Sequence, residues 1–182
     1  MKILIVLGSG VETSNTKKLS EAFADGAKEQ GHKVEIVFLK GLEVNDCRGC
    51  GACQRNGHNC VINDDMTALY LKFNEAEMIV LASPMLFWTI SGRLKNFIDR
   101  LYSLSKNDVY PHKKAALIMT AGDDDANTFD HAKAYYRRLT EALGWDDMGL
   151  CLQGGCMGAE KGARSIPNQG LANAYEFGRS II

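Results

Sequence analysis

Buried strands and amphipathic helices alternate along this 182-residue chain, and that pattern limits the folds open to it. "KILIVLGSG" begins with a continuous apolar run that ends in glycine, which is typical of a strand covered on both faces in a parallel sheet. "SNTKKLSEAFADGAKEQGH" follows with Leu19, Phe23 and Ala27 at helical spacing. Strand and helix alternate five times in this way, which indicates parallel strands joined by right-handed crossovers.

The alternation predicts the order of the elements as well as their type. The predicted strands are "KILIVL", "KVEIVFL", "EMIVLASP", "KKAALIMTAG" and a weaker fifth, "WDDMGLCL". Later helices are predicted at about 64–73, in "SGRLKNFIDRLYSL", in "FDHAKAYYRRLTEALG" and from about Gln169. We therefore predict one α/β domain over residues 1–182, a flavodoxin-like, doubly wound three-layer sandwich with a five-stranded parallel sheet in the order 2-1-3-4-5. It carries a cysteine-rich loop at about 45–64.

Charge and hydropathy remove two classes of partner. The net charge is −1 and no run of Lys or Arg is longer than two, so the chain lacks the basic face that nucleic acid requires. The first apolar run, Ile3 to Leu7, is too short for a secretory segment or a membrane span. We expect a cytoplasmic protein without a membrane partner, whose cysteines stay reduced.

The loop after the first strand has the composition of an anion site. "GSGVETSNT" (residues 8–16) places hydroxyl and amide side chains where a helix begins, next to free backbone N–H groups and the positive end of the helix dipole. It matches neither the phosphate loop of nucleoside triphosphatases nor the G-x-G-x-x-G dinucleotide motif. Helix capping by Ser14 or Asn15 is the plainer interpretation, but capping needs only one such residue.

The loop after the third strand is rich in bulky apolar side chains. "SPMLFW" brings Met85, Leu86, Phe87 and Trp88 to the mouth of the predicted sheet, and Pro84 stiffens the turn. Such side chains either wall a flat ring system or fold inward onto the core.

Four of the six cysteines fall in the segment "CRGCGACQRNGHNC", at Cys47, Cys50, Cys53 and Cys60. The C-x2-C-x2-C spacing with a fourth cysteine suits an iron–sulfur cluster held by one tight loop. Zinc, with His58 in place of one cysteine, and free or redox-active thiols are the alternatives, and the sequence leaves them open.

Three segments together resemble a known family. "SPMLFWTISGRLKNFIDRLY" is similar to the S-P-x-Y-x-x-x-x-S-x-x-L-K-x-F-I-D-R motif of the NADPH-dependent FMN reductase family, and "GSGVETSNTKKL" to its phosphate loop. The cysteine segment, ending in "CVINDDM", resembles the iron–sulfur flavoprotein and multimeric-flavodoxin branch. The matches run in order from residue 3 to about 103. Gly10 and Val11 depart from the family, which often has Pro-Arg there.

The resemblance implies FMN as the cofactor and NAD(P)H as the co-substrate. Its implied FMN-binding residues are Ser9, Ser14, Asn15 and Thr16 at the phosphate, Pro84, Met85, Leu86, Phe87 and Trp88 at the isoalloxazine, and Thr120, Ala121 and Gly122 on the ring's far side. Cys47, Cys50, Cys53 and Cys60 are its implied metal ligands, for a 4Fe–4S cluster. No side chain is predicted to be catalytic, because the flavin carries the chemistry.

The predicted function is an FMN-dependent oxidoreductase that passes hydride or electrons from a reduced nicotinamide to a quinone, a flavin or another small acceptor. One alternative is an iron–sulfur flavoprotein that carries electrons between FMN and a 4Fe–4S cluster. A remoter one is a zinc-stabilised interaction module without enzymatic activity. We expect a homodimer or homotetramer, because exposed aromatic side chains around a flat cofactor need cover.

Overall fold

The structure is a computed structural model that describes residues 1–158 and 163–182. Its strands are β1 (Lys2–Leu7), β2 (Lys33–Phe38), β3 (Met78–Pro84), β4 (Lys114–Thr120) and β5 (Asp146–Gln153). Its helices are α1 (Asn15–Glu29), α2 (Ala52–Arg55), α3 (Met66–Glu75), α4 (Gly92–Arg100), α5 (Asp130–Leu143) and α6 (Asn168–Arg179), and a 3-10 turn, η1 (Leu101–Leu104), follows α4.

The strands form one parallel sheet in the order β2-β1-β3-β4-β5, which confirms the predicted fold. Leu4 of β1, for example, lies between Glu35 of β2 and Ile79 of β3. The chain reverses direction across the sheet after β2, and the carboxyl ends of β1 and β3 meet at that point. A ligand of an open α/β sheet binds in the crevice outside those ends.

Helices cover both faces of the sheet, as the continuous apolar strands require. Ile3, Ile5 and Leu7 of β1 pack on α1 and α6. Leu4 and Val6, which point to the opposite face, pack with α3, α4 and α5. The core therefore has two apolar layers with the sheet between them.

The boundaries of two predicted helices were wrong. α3 begins at Met66 instead of about residue 64, because Asp64 and Asp65 turn their carboxylates to the backbone N–H groups of Asn45 and Glu43. The helix predicted in "SGRLKNFIDRLYSL" ends at Arg100 and tightens into η1. The fifth strand has a weaker apolar pattern than the others because β5 lies at the edge of the sheet, where several of its residues are exposed.

Across residues 1–158 and 163–182, no helix is long and apolar enough to cross a lipid bilayer.

Candidate functional site

A cavity of about 480 Å³ opens at the carboxyl ends of β1, β3 and β4. Of the twelve residues expected to bind a cofactor, all except Phe87 and Trp88 line this cleft: Ser9, Ser14, Asn15, Thr16, Pro84, Met85, Leu86, Thr120, Ala121 and Gly122. Three loops that are distant in sequence therefore meet at one place. Gly10, Val11, Arg93, Cys156, Met157, Gly158 and Arg164 complete the wall.

The amino terminus of α1 forms one end of the cleft. Ser14 is the N-cap, and its hydroxyl accepts a hydrogen bond from Lys17 N at 3.2 Å. The first N–H groups of a helix have no partner within the helix, and the helix dipole adds positive potential at that end. The capping and anion-binding interpretations of this loop are thus compatible, because one serine makes the cap and the other donors face the cleft.

Asn15 carries a buried oxygen without a partner. Its side-chain nitrogen donates to the carbonyl of Met157 at 3.0 Å, while Oδ1 makes no hydrogen bond within the described residues. A buried amide oxygen without a donor costs about 1–3 kcal/mol. A ligand hydroxyl in the cleft would supply that donor, so Asn15 fits a polyol-bearing ligand.

The hydroxyls of Thr16 and Thr120 lie 2.7 Å apart and hydrogen-bond across the base of the cleft. Both side chains are buried. Their contact fixes the start of α1 against the end of β4. Thr16 therefore holds the two loops together, in addition to lining the cleft.

Phe87 and Trp88 form the tip of a turn next to the cleft. Leu86 and Thr89 exchange backbone hydrogen bonds of 3.0 and 3.3 Å around a two-residue turn. Phe87 (φ 47°) and Trp88 (φ 61°) both occupy the left-handed region, which is characteristic of a type I′ turn. The turn directs Phe87 outward, where it is 91% exposed, so this loop does not fold inward onto the core.

A second cavity of about 340 Å³ adjoins the cleft, and these aromatic side chains line it. Met85, Ala121 and Gly122 line both cavities, and Phe87 and Trp88 line only the second. The aromatics thus flank the cleft on the side of Met85, Ala121 and Gly122.

The cleft contains two arginines that the sequence reasoning missed. Arg93 lies in the first turn of α4, and Arg164 approaches from the segment before α6. No acidic side chain lines this cavity among the described residues. The site is therefore polarised for an anionic ligand. Arg93 in "SGRLK" was visible in the sequence, but helical spacing alone does not reveal which loop a helical arginine contacts.

Cys156 also lines the cleft. Burial raises the pKa of its thiol to about 11, so at neutral pH it is a protonated thiol and a poor nucleophile. Cys151 is buried in β5 with a pKa raised to about 11 by the same cause.

The cysteine segment forms a wrapped loop beside α4 and η1. Gly49, Gly51 and Gly57 all have positive φ, at 61°, 64° and 64°, and let the backbone turn tightly as the sequence suggests. Cys53 is buried, Cys50 is exposed, and all six cysteines of the chain are free thiols.

The thiols of this segment do not converge on one point. Among the described residues, no three of the four sulfurs come within 4.8 Å of one another, the closeness that a single metal ion requires. The segment as it stands thus offers no compact site for one zinc ion. A 4Fe–4S cluster is larger and spreads its thiolate ligands further apart, so this distance does not bear on it.

A buried ion pair anchors both ends of the cysteine segment. Arg100 of α4 donates to the two carboxylate oxygens of Asp64 at 2.7 and 3.0 Å, and both side chains are almost fully buried. The same guanidinium donates to the carbonyls of Asn45 at 3.0 Å and Ile62 at 3.4 Å. Residues before the first cysteine and after the last are thereby fixed to one helix.

The pKa values of this pair are mutually shifted. Burial by itself raises the pKa of Asp64, but the hydrogen bonds from Arg100 and from Asn45 N outweigh it, so the pKa lies below the usual value. Burial lowers the pKa of Arg100, and the bonds to Asp64 reverse that shift and raise it. By contrast, Lys95 and Asp99 on the same helix form an exposed ion pair at 2.5 Å, with the i,i+4 spacing of a helix surface pair.

Comparison with known proteins decides the family. The model of the NADPH-dependent FMN reductase family matches residues 1–139. The chain belongs to this family. The matched range includes the phosphate loop, the cysteine segment, the turn at Phe87 and Trp88, and Arg93.

Two curated relatives share the name iron-sulfur flavoprotein and both come from Archaeoglobus fulgidus. One is 39% identical over 100 residues, which cover 55% of this chain and 48% of the relative. The other is 28% identical over 182 residues, which cover 100% of this chain and 79% of the relative. The chain thus spans about half the length of the first relative.

A solved structure shows the same fold. The NAD(P)H:quinone oxidoreductase from Methanothermobacter marburgensis superposes with a TM-score of 0.78 over 98% of this chain and 94% of the other. Sequence identity is 16%, so the likeness shows the fold alone.

Proposed function

We propose that this chain is an FMN-dependent oxidoreductase that takes hydride from NADH or NADPH and passes it to a quinone, a flavin or another small acceptor. The observation that carries the proposal is the cleft itself. It joins the amino terminus of α1, two arginines, the Oδ1 of Asn15, which has no partner among the described residues, and an apolar end at Pro84 and Met85. These anion-binding, polyol-binding and apolar surfaces match the phosphate, ribityl chain and isoalloxazine of FMN.

The residues of the cleft would divide the binding of FMN between them. Ser14 and the first N–H groups of α1 would hold the phosphate, and Asn15 Oδ1 would accept from a ribityl hydroxyl. Met85 and Leu86 would exclude water from the ring. FMN supplies hydride acceptance and release, so the protein needs no nucleophile or general acid of its own. Cys156, the cysteine that lines the cleft, would stay a protonated thiol at neutral pH, because burial raises its pKa.

The second cavity is our proposed site for the electron donor and acceptor. It meets the ring end of the cleft at Met85, Ala121 and Gly122, and two exposed aromatic side chains border it. A flat ring bound there would lie next to the flavin. Residues 1–182 would then serve as one FMN-binding domain, in the cytoplasm, where thiols stay reduced.

The test of this proposal is the identity and reactivity of the bound flavin. Heat-released cofactor should co-elute with FMN, and anaerobic addition of NADH or NADPH should bleach the flavin absorbance. Finding FAD, no affinity for added FMN, or a flavin that neither nucleotide reduces would contradict it.

An oligomer forms part of the same proposal. Leu86, Phe87 and Trp88 are 53%, 91% and 60% exposed on one turn next to the cleft, and a second copy of the chain would cover them. Light scattering at micromolar concentration should give a dimer or tetramer. A monomer mass would remove this part and leave the flavin chemistry untouched.

The second candidate function is electron transfer between FMN and a 4Fe–4S cluster. Four thiols on one glycine-rich loop, and the name of the two relatives, favour it. After anaerobic purification we expect about four iron atoms per chain, lost in Cys53→Ser with FMN retained. Absence of iron after anaerobic reconstitution would leave an FMN reductase with a thiol-bearing loop.

A further inference from the structure

The β1–α1 loop that faces the FMN phosphate contains no basic residue. Residues 8–16 read "GSGVETSNT", with Glu12 as the only charged side chain. Glu12 is directed to Lys40, at 3.3 Å. A phosphate monoester carries a charge of about −1.5 to −2 at neutral pH, more than the partial charge of one helix terminus offsets. Within the loop, hydrogen-bond donors are present and a full positive charge is not.

Helix α4 brings a cation to this loop. Its N-cap, Ser91, donates to the carbonyl of Gly8 at 2.7 Å and accepts from Leu94 N at 3.3 Å. The backbone N–H of Ser91 donates to the hydroxyl of Ser83 at 2.8 Å. These bonds fix the first turn of α4, and with it Arg93, against the start of the loop.

The guanidinium of Arg93 lies over Gly10. A Cβ atom built on Gly10 would be 3.1 Å from Arg93 Nη1, tighter than ordinary van der Waals contact. A side chain at position 10 would therefore press on the Arg93 guanidinium, which would have to give way by a few tenths of an ångström. Its charged end lines the cleft together with Ser9, Ser14 and Thr16.

We propose that Arg93 is a cation that binds the FMN phosphate in this chain, beside Arg164 in the same cleft, and that the absence of a side chain at Gly10 leaves its guanidinium unobstructed. The inference rests on the proposed function, because it concerns the same cleft. It also accounts for the departure of Gly10 and Val11 from the family's usual Pro-Arg, since the positive charge comes from α4 instead of from the loop.

The experiment compares FMN with riboflavin, which lacks only the phosphate. Each flavin is titrated into the full chain after removal of bound flavin, and quenching of flavin fluorescence gives the dissociation constant. The variants are Arg93→Ala, Arg93→Lys and Gly10→Ala. Lys95→Ala, two residues further along the same helix and outside the cleft, is the matched control.

Arg93→Ala should weaken FMN about 10- to 150-fold, the range for loss of a charge-assisted hydrogen bond, and leave riboflavin within about twofold. Arg93→Lys should recover part of the loss, because it keeps the charge without the planar fork. Gly10→Ala should weaken FMN by less than Arg93→Ala does and spare riboflavin, because its Cβ shifts the guanidinium by only a few tenths of an ångström. Lys95→Ala should change neither.

Equal loss of both flavins in Arg93→Ala would mean that Arg93 shapes the cleft without binding phosphate, and would overturn the proposal. Unchanged FMN affinity would overturn it as well. Failure of the proposed function is a separate result, since a wild-type chain that binds neither flavin is detected before any variant is made.

Discussion

Loss of Arg100 should unfold the cysteine segment before the rest of the protein. Arg100→Met keeps an apolar stem but removes the guanidinium and, with it, two charge-assisted hydrogen bonds to Asp64, of 2.7 and 3.0 Å. Each such bond contributes about 1.5–3 kcal/mol, and breaking one side of a buried pair costs about 3–5 kcal/mol because the partner's charge stays buried. We expect a loss of about 3–5 kcal/mol in the free energy of unfolding.

The damage should be local, because Arg100 holds the carbonyls of Asn45 and Ile62 at the two ends of the loop. Urea denaturation followed by circular dichroism gives the free energy, and native-state hydrogen exchange shows where protection is lost. Residues 45–64 should lose protection while β1, β3 and β4 keep theirs. FMN affinity should fall by much less than the stability, since the cleft is built from other segments.

The exposed pair on the same helix provides the control. Lys95→Met removes an ion pair whose side chains are 46% and 41% exposed, and such pairs contribute at most about 1 kcal/mol. A double-mutant cycle of Arg100→Met with Asp64→Leu should show that the double variant is less destabilised than the sum of the two. The reasoning fails if Arg100→Met costs no more than Lys95→Met, or if exchange rises evenly over the whole sheet.

Three further predictions concern stability and thiol chemistry. The pKa of Asp64 is lowered on folding, so its charged form stabilises the fold fully above its unfolded pKa of about 3.9, and this stabilisation is lost as the pH falls through the lower folded pKa. When the free energy of unfolding is measured against pH, Asp64→Asn should therefore remove the decrease in that acidic range. Gly26→Ala should cost at least about 1–3 kcal/mol in urea denaturation, since its Cβ would lie 2.0 Å from the carbonyl oxygen of Tyr175 where α1 crosses α6; a milder effect would show that the helices can separate. Iodoacetamide should alkylate exposed Cys50 long before Cys151, which is buried and has a raised pKa, and mass spectrometry of the peptides would reveal a reversed order.

Part of the cleft can be predicted from the sequence. Because parallel strands end at one edge of the sheet, the sequence is enough to bring the loops after β1, β3 and β4 together, and in the structure they meet. Ser91 as the cap of α4 and the pair of Lys95 and Asp99 were equally readable, because a helix cap and an i,i+4 pair depend only on local spacing. The outward turn of Phe87 and Trp88 was not predicted, because bulky residues rarely adopt positive φ and "MLFWTI" contains none of the residues typical of a type I′ turn.

By itself, the sequence determined the elements of this protein, because apolar periodicity is a property of short segments. The handedness rule for β-α-β units then limited the order of the strands and the edge at which a ligand binds. The tertiary structure alone decided which charges face that ligand and which hold the scaffold. "SGRLKNFIDR" contains two arginines in one helix: Arg93 lies over Gly10 at the cleft, and Arg100 is buried on Asp64 under the cysteine segment. Their partners are 83 and 36 residues away, and such contacts are set by how the helix packs between two loops, which no local pattern encodes.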